Sequence, residues 1–178
     1  MYEIHITVKA KDIDKFKEDC KDIGVKPIVL DLQVSEDVMT SSTCEDNVMI
    51  VASNIVHALK DRGYPIIRIK IETSPDHPDV PTKENRKEIG VARYFETHIE
   101  VEKTDKNAEI AKKHGAHISK NIFKDGKVMV TLRKYKGNLE EFDYAADNLM
   151  KELGVDKRIT EFALWDTKPR HDDLWFGL

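Results

Sequence analysis

The sequence is poor in several things that commonly reveal a function. Only two of its 178 residues are cysteine, Cys20 and Cys44, and no Cys-x-x-Cys spacing occurs. That excludes a disulfide framework and a cysteine-based zinc site, and it points to a reducing, cytoplasmic setting. Aromatic residues make up 7% of the chain. No apolar run approaches the ~18 residues of a membrane span, and no basic segment leads into an apolar stretch at the start, so neither a membrane protein nor a secreted one is expected. An excess of one charge is missing too: 29 Lys and Arg against 33 Asp and Glu leave a net charge of −4, which argues against bulk binding of nucleic acid.

What is present is charge of both signs, at 35% of residues, on a chain whose apolar positions recur in regular patterns. The fraction is above the usual level of about 25%, and the regularity argues against disorder. The length allows one domain or two small halves.

The chain reads as two copies of one unit. Tyr2-Glu3-Ile4-His5-Ile6-Thr7-Val8 aligns without a gap on Phe95-Glu96-Thr97-His98-Ile99-Glu100-Val101, and both alternate as strands do. A helical stretch follows each, over 12–23 and 105–114, ending at Gly24 and Gly115. Two strands come next in each half, at 27–34 and about 38–43, then at 116–123 and 127–133, the latter pair joined by Asp125-Gly126, a tight hairpin signal. A second helix ends near Gly63 and at Gly154, and each half closes with a strand, 65–73 and 158–166. The glycines keep register between halves, each where a helix needs a residue of positive φ.

The expected class is therefore α+β: an internally duplicated β-α-β-β-α-β, ferredoxin-like, unit in two pseudo-symmetric lobes with antiparallel sheets. Residues 1–73 form the first repeat, 74–93 a Pro-rich charged linker, 94–166 the second repeat, and 167–178 a tail docked by Trp175 and Phe176.

In such a unit the helices cover one sheet face and leave the other open. Alternation sends Ile4, Ile6, Val8, Ile67, Ile69 and Ile71 to the helices. The open face of the first half then carries Glu3, His5, Thr7, Arg68, Lys70 and Glu72. In the second half it carries Glu96, His98, Glu100, His117, Ser119, Asn121, Thr131 and Arg133. If the two open faces turn toward each other, His5 and His98 share a cleft. Two imidazoles near pH 7 form an acid/base pair, and Arg68, Lys70 and Arg133 would draw an anion between them.

Ile4-His5-Ile6-Thr7-Val8 resembles the His-x-Thr motif of the two-histidine (2H) phosphoesterases, small two-lobed proteins in which each lobe contributes one such motif. The resemblance covers the lobe plan and a few residues. It implies metal-independent hydrolysis of a phosphodiester, with His5 and His98 as general acid and base and Thr7 on the phosphate. The second copy reads His98-Ile99-Glu100, a carboxylate where the family has Ser or Thr, so Glu100 takes no role from the resemblance.

Three functions are therefore expected in order. The first is a phosphodiesterase acting without cofactor on a cyclic phosphate or small nucleotide-like phosphodiester, contacted by Thr7, Arg68, Lys70, Glu100, His117, Ser119, Asn121, Thr131 and Arg133. The second is a non-enzymatic anion-binding or assembly module. The third is a metal-dependent enzyme with His98, Glu100, His117 and Glu161 as ligands. In the tail, His171 or Asp172 would either cap the second sheet or reach over the cleft as a flap.

Overall fold

A computed structural model of the chain describes residues 1–31, 36–122, 126–169 and 171. The elements run β1 (Tyr2–Val8), α1 (Ile13–Asp22), β2 (Lys26–Asp31), β3 (Glu36–Cys44), α2 (Val48–Asp61) and β4 (Ile66–Thr73). They continue with β5 (Tyr94–Glu102), α3 (Asp105–Lys113), β6 (His117–Asn121), β7 (Lys127–Lys134), α4 (Leu139–Leu153) and β8 (Ile159–Asp166). Helix starts follow from local chemistry: the side chains of Asp12, Thr104 and Asn138 accept from the backbone N–H groups of Lys15, Asn107 and Glu141, satisfying donors that the first turn leaves over. At the other ends, Gly24, Gly63, Gly115 and Gly154 all have positive φ. Residues 32–34 of the expected strand 27–34, residue 123 of the expected strand 116–123 and Asp125 lie outside the described residues, as do Asp172, Trp175 and Phe176.

The eight strands among the described residues belong to one antiparallel sheet in the order β1-β3-β2-β6-β7-β5-β8-β4, with β4 returning to β1. This differs from the expectation of two sheets. Within 1–73 the order is β4-β1-β3-β2, and within 94–166 it is β8-β5-β7-β6. Each set of four would leave two edges with unpaired backbone groups; β2 meets β6 and β4 meets β8, which removes them and closes a barrel.

Two hydrophobic cores lie on the outside of this barrel. One packs Ile4, Ile6, Val29 and Ile71 under Phe16, Cys20, Ile55 and Leu59 of α1 and α2. The other packs Phe95, Ile99, Val130 and Phe162 under Ala111, Phe142 and Leu149 of α3 and α4. Burial of a side chain such as Leu59 or Phe142 contributes about 1.5–3 kcal/mol. The rings of Phe95 and Phe142 stack at 5.2 Å.

Two irregularities in the pairing matter. Between Thr7 and Val8 the register against β4 shifts, so that Ile66 lies opposite Val8. Ile66, Ile69 and Ile71 therefore meet the first core, and Ile67, expected there, does not. A second shift falls between Ile71 and Glu72, opposite Trp165 and Ala163. A bulge reverses the faces beyond it, so Phe162 packs on the core before it and Asp166 points into the barrel after it.

The segment 74–93 is more than a spacer. Val80 is fully buried in the second core, Pro81 accepts a hydrogen bond from the backbone N–H of Leu139, and His77 lies 3.2 Å from the Tyr2 hydroxyl.

Candidate functional site

The faces that alternation leaves away from the helices meet inside the barrel. Eight strands usually give an interior just filled by side chains, yet here a chamber of about 310 Å³ remains. His5 and His98 both line it, with Thr7, Arg68, Lys70, Ser119, Thr131 and Arg133 among the expected residues. Glu3, Glu96 and Glu161 line it as well.

Each histidine sits against buried carboxylates. Nε2 of His5 is 3.2 Å from Glu72 and 3.3 Å from Glu3, which also accepts from the Ser41 hydroxyl. Nε2 of His98 is 2.9 Å from Glu96 and 3.6 Å from Glu161, while its Nδ1 lies 2.9 Å from the Thr131 hydroxyl. Thr131 is the cross-strand partner of His98, as Ser41 is of His5. Nδ1 of His5 is buried and has no hydrogen-bond partner among the described residues.

Lys70 joins the two arrangements. Its Nζ is 3.0 Å from Glu72 and 3.0 Å from Glu96, which also pairs with Arg133. The result is an unbroken run, His5–Glu72–Lys70–Glu96–His98, across the junction of the halves. Glu72 and Glu96 are wholly shielded from solvent, a costly place for a charge unless partners compensate. Burial pushes the Glu72 carboxyl up, but the Lys70 charge and the His5 contact outweigh it and hold the group down to about 2. Burial likewise works against ionised Glu96, and Arg133, Lys70 and His98 overcome it and place the group well below its usual range. For Lys70 and His98 burial favours loss of the proton; Glu72 and Glu96 more than offset it for Lys70, and Glu96 does so for His98, so both hold their protons more tightly than usual. Glu161 goes the other way: burial, then the charge of Glu72, push it up to about 8. A carboxylic acid that is mostly neutral at pH 7 thus lies beside an imidazole that holds its proton more tightly than usual.

Toward the Asp166 side, Arg68 pairs with Asp166 through two nitrogens, at 3.0 and 2.6 Å, and the buried Tyr94 hydroxyl donates to Asp166 while accepting from Arg68. This ties β4, β5 and β8 together. The cations expected to await an anion are therefore held by carboxylates: Arg68 by Asp166, Lys70 by Glu72 and Glu96, Arg133 by Glu96.

Other expected residues fall differently. Glu100 is exposed near the end of β5 and bonds Lys127 at 2.9 Å; it lines an outer groove of about 730 Å³, not the chamber. His117 is buried, opposite Thr131 in register. Asn121 ends β6 opposite Leu30, and its side chain lies outside the described residues. His171 lies 3.3 Å from Asp37 of β3 and does not line the chamber. Of the four candidate metal ligands, His98 and Glu161 are neighbours, and among the described residues no group of three His, Cys, Asp or Glu side chains is placed to hold a metal ion.

Sequence reasoning missed Asp166, because only the bulge turns it inward, and it missed the apolar side chains of the chamber: Ile28, Leu30, Met39, Met129 and Ile159. For β2 the signal was present, since Lys26, Ile28 and Leu30 alternate with core-facing Val29. It was hidden by a run that is apolar on both faces.

No protein-family model matches the chain, and no curated protein matches it in sequence. Among the described residues no helix is long and apolar enough to cross a membrane.

Proposed function

We propose that the barrel interior is the active site of a metal-independent phosphodiesterase acting on a cyclic phosphate or small nucleotide-like phosphodiester. One observation carries the reading: His5 and His98, at equivalent places in the two halves, line one chamber, and each is oriented by carboxylates. His98, whose proton Glu96 helps to hold, is the general acid, and His5 is the base. His5 takes a proton from water, whose oxygen attacks phosphorus; as the bond to the leaving oxygen breaks, His98 gives that oxygen its proton. Such groups contribute typically about 10²–10⁴ each in rate.

The same reading makes the chain a duplicated ferredoxin-like unit, 1–73 and 94–166, resembling the two-histidine phosphoesterases and working in the cytoplasm. Support comes from the shared strand order of the halves and from the common positions of the histidines. A panel of cyclic phosphates and cyclic nucleotides, assayed with and without chelator, tests it. Turnover should survive chelation and fall in His5→Ala and His98→Ala; full activity in both variants sinks the assignment.

A second reading, a non-enzymatic ligand-binding barrel, is favoured by one observation. Arg68, Lys70 and Arg133 are already paired with carboxylates, so a phosphate must compete for them. Tight binding with no turnover on any phosphodiester would select it.

A further inference from the structure

Three of the cations that line the chamber are already taken: Arg68 by Asp166, Lys70 by Glu72 and Glu96, and Arg133 by Glu96. An anion placed among them would strip a buried carboxylate of its partner or face that carboxylate directly, and either is costly. Lys26 also lines the chamber, and it differs in both respects. Among the described residues no carboxylate holds it. It is also exposed, whereas the rest of the lining, Ile159 apart, is buried or half-buried. Lys26 therefore stands where the chamber meets solvent.

Register places Lys26 in a row with the first histidine. It lies opposite Ser41 of β3, and Ser41 lies opposite His5 of β1; directly paired residues share a face. Strands run ~4.8 Å apart, so the backbones of Lys26 and His5 are about 10 Å apart, a gap that a lysine side chain and one phosphate-sized anion span. The carboxylate of Glu3, two residues before His5, is taken up by the Ser41 hydroxyl at 2.7 Å and by His5 at 3.3 Å.

The second half does not repeat this arrangement. His117 follows Gly115 by two residues, as Lys26 follows Gly24, and His117, Thr131 and His98 form the matching row. His117 is only 5% exposed. The row through His98 thus ends in a buried imidazole, and the row through His5 in an exposed ammonium. An ammonium is a compact charge with three donors on a flexible stem, suited to selecting for negative charge without fixing one geometry.

Taking the chamber as an anion site, whether or not the anion is hydrolysed, we propose that Lys26 is its specificity-determining residue. The ligand's anionic group is held between Lys26 and His5, and Arg68, Lys70 and Arg133 organise the carboxylates instead of contacting it.

Calorimetric titration of the full chain with inorganic phosphate tests this. The unaltered chain should bind, Lys26→Met should bind about tenfold more weakly, and Lys26→Arg, which keeps the charge, should stay within about threefold. Lys21→Met removes the same charge from an exposed position on α1 and should change nothing, which separates a local contact from net charge. Should Lys26→Met not fold, Lys26→Gln gives the same readout. On any cyclic phosphate that is turned over, Lys26→Met should raise KM about tenfold with kcat nearly unchanged, since the contact is made equally before and during the reaction. No phosphate binding by the unaltered chain, undiminished binding by the neutral Lys26 variants, or a loss in Lys26→Arg as large as in Lys26→Met overturns the proposal. Failure of every cyclic phosphate to turn over, with phosphate binding still dependent on Lys26, removes the hydrolytic reading alone. Turnover that needs both histidines, with phosphate binding indifferent to Lys26, removes this assignment alone.

Discussion

The surroundings of His5 and His98 differ although their strand positions match. Glu96, two residues before His98, lies opposite Arg133 on the neighbouring strand and is fully buried; Glu3, two residues before His5, lies opposite Thr43 and is about a third exposed, at 32% of its side chain. The buried carboxylate beside His5 is Glu72, brought by β4. Matching strand positions thus carry carboxylates of different burial, and the residue across the strand differs with them. Arg133 opposite Glu96 compensates the charge of that buried carboxylate, and Glu96 in turn helps His98 keep its proton.

The comparison is broken most directly at the histidines. His5→Ala and His98→Ala should each lower kcat/KM by about 10²–10⁴, and because His98 is the acid, the alkaline limb of the pH–rate profile should be lost in His98→Ala and kept in His5→Ala. Identical profiles would show that the two environments are functionally equal.

Next in size is the pair that distinguishes the halves. Arg133→Met removes a partner from a buried carboxylate and should cost about 3–5 kcal/mol in urea unfolding, whereas Thr43→Ala, at the exposed equivalent position, should stay within about 0.5 kcal/mol. Similar losses at both would mean that Arg133 has no special role in holding Glu96.

A smaller effect concerns Glu161. Its folded carboxyl is pushed up to about 8 from a reference near 4.5, so between these values the folded chain binds more protons than the unfolded one, and stability falls as pH rises. The His98 proton, held more tightly than usual, acts in the same direction: its contribution is full at low pH and is lost as pH rises through its folded value. Melting temperature should therefore drop from pH 5 to pH 8, and Glu161→Gln should shrink the drop by on the order of a few degrees. An unchanged drop would assign the pH dependence elsewhere.

The smallest effect is expected outside the chamber. Lys127→Ala breaks the exposed pair with Glu100 and should leave both stability and turnover nearly unchanged. A large loss of activity would return Glu100 to the site.

Much of the local structure was legible because it rests on local rules. The alternation of Ile4, Ile6 and Val8 with Glu3, His5 and Thr7 assigned β1 and its faces, and the stripe from Leu139 to Leu153 gave α4. His5 and His98 were found by position in the two halves. Glu100 was misplaced because alternation tells which face a side chain takes but not how far along the strand the chamber reaches. Asp166 was missed and Ile67 misread because bulges depend on partners that no local pattern names.

The sequence by itself determined the order of strands and helices, the face that each helix covers and the two histidines worth attention, since periodicity and capping act within a few residues. Only the tertiary structure decided that two polar faces close into one chamber, that Lys70 bridges Glu72 and Glu96, and that Arg133 buries one carboxylate while Thr43 leaves its counterpart wet. Those outcomes depend on which strand edges pair and on charges brought together from distant positions, where desolvation and compensation are settled only once the barrel is shut.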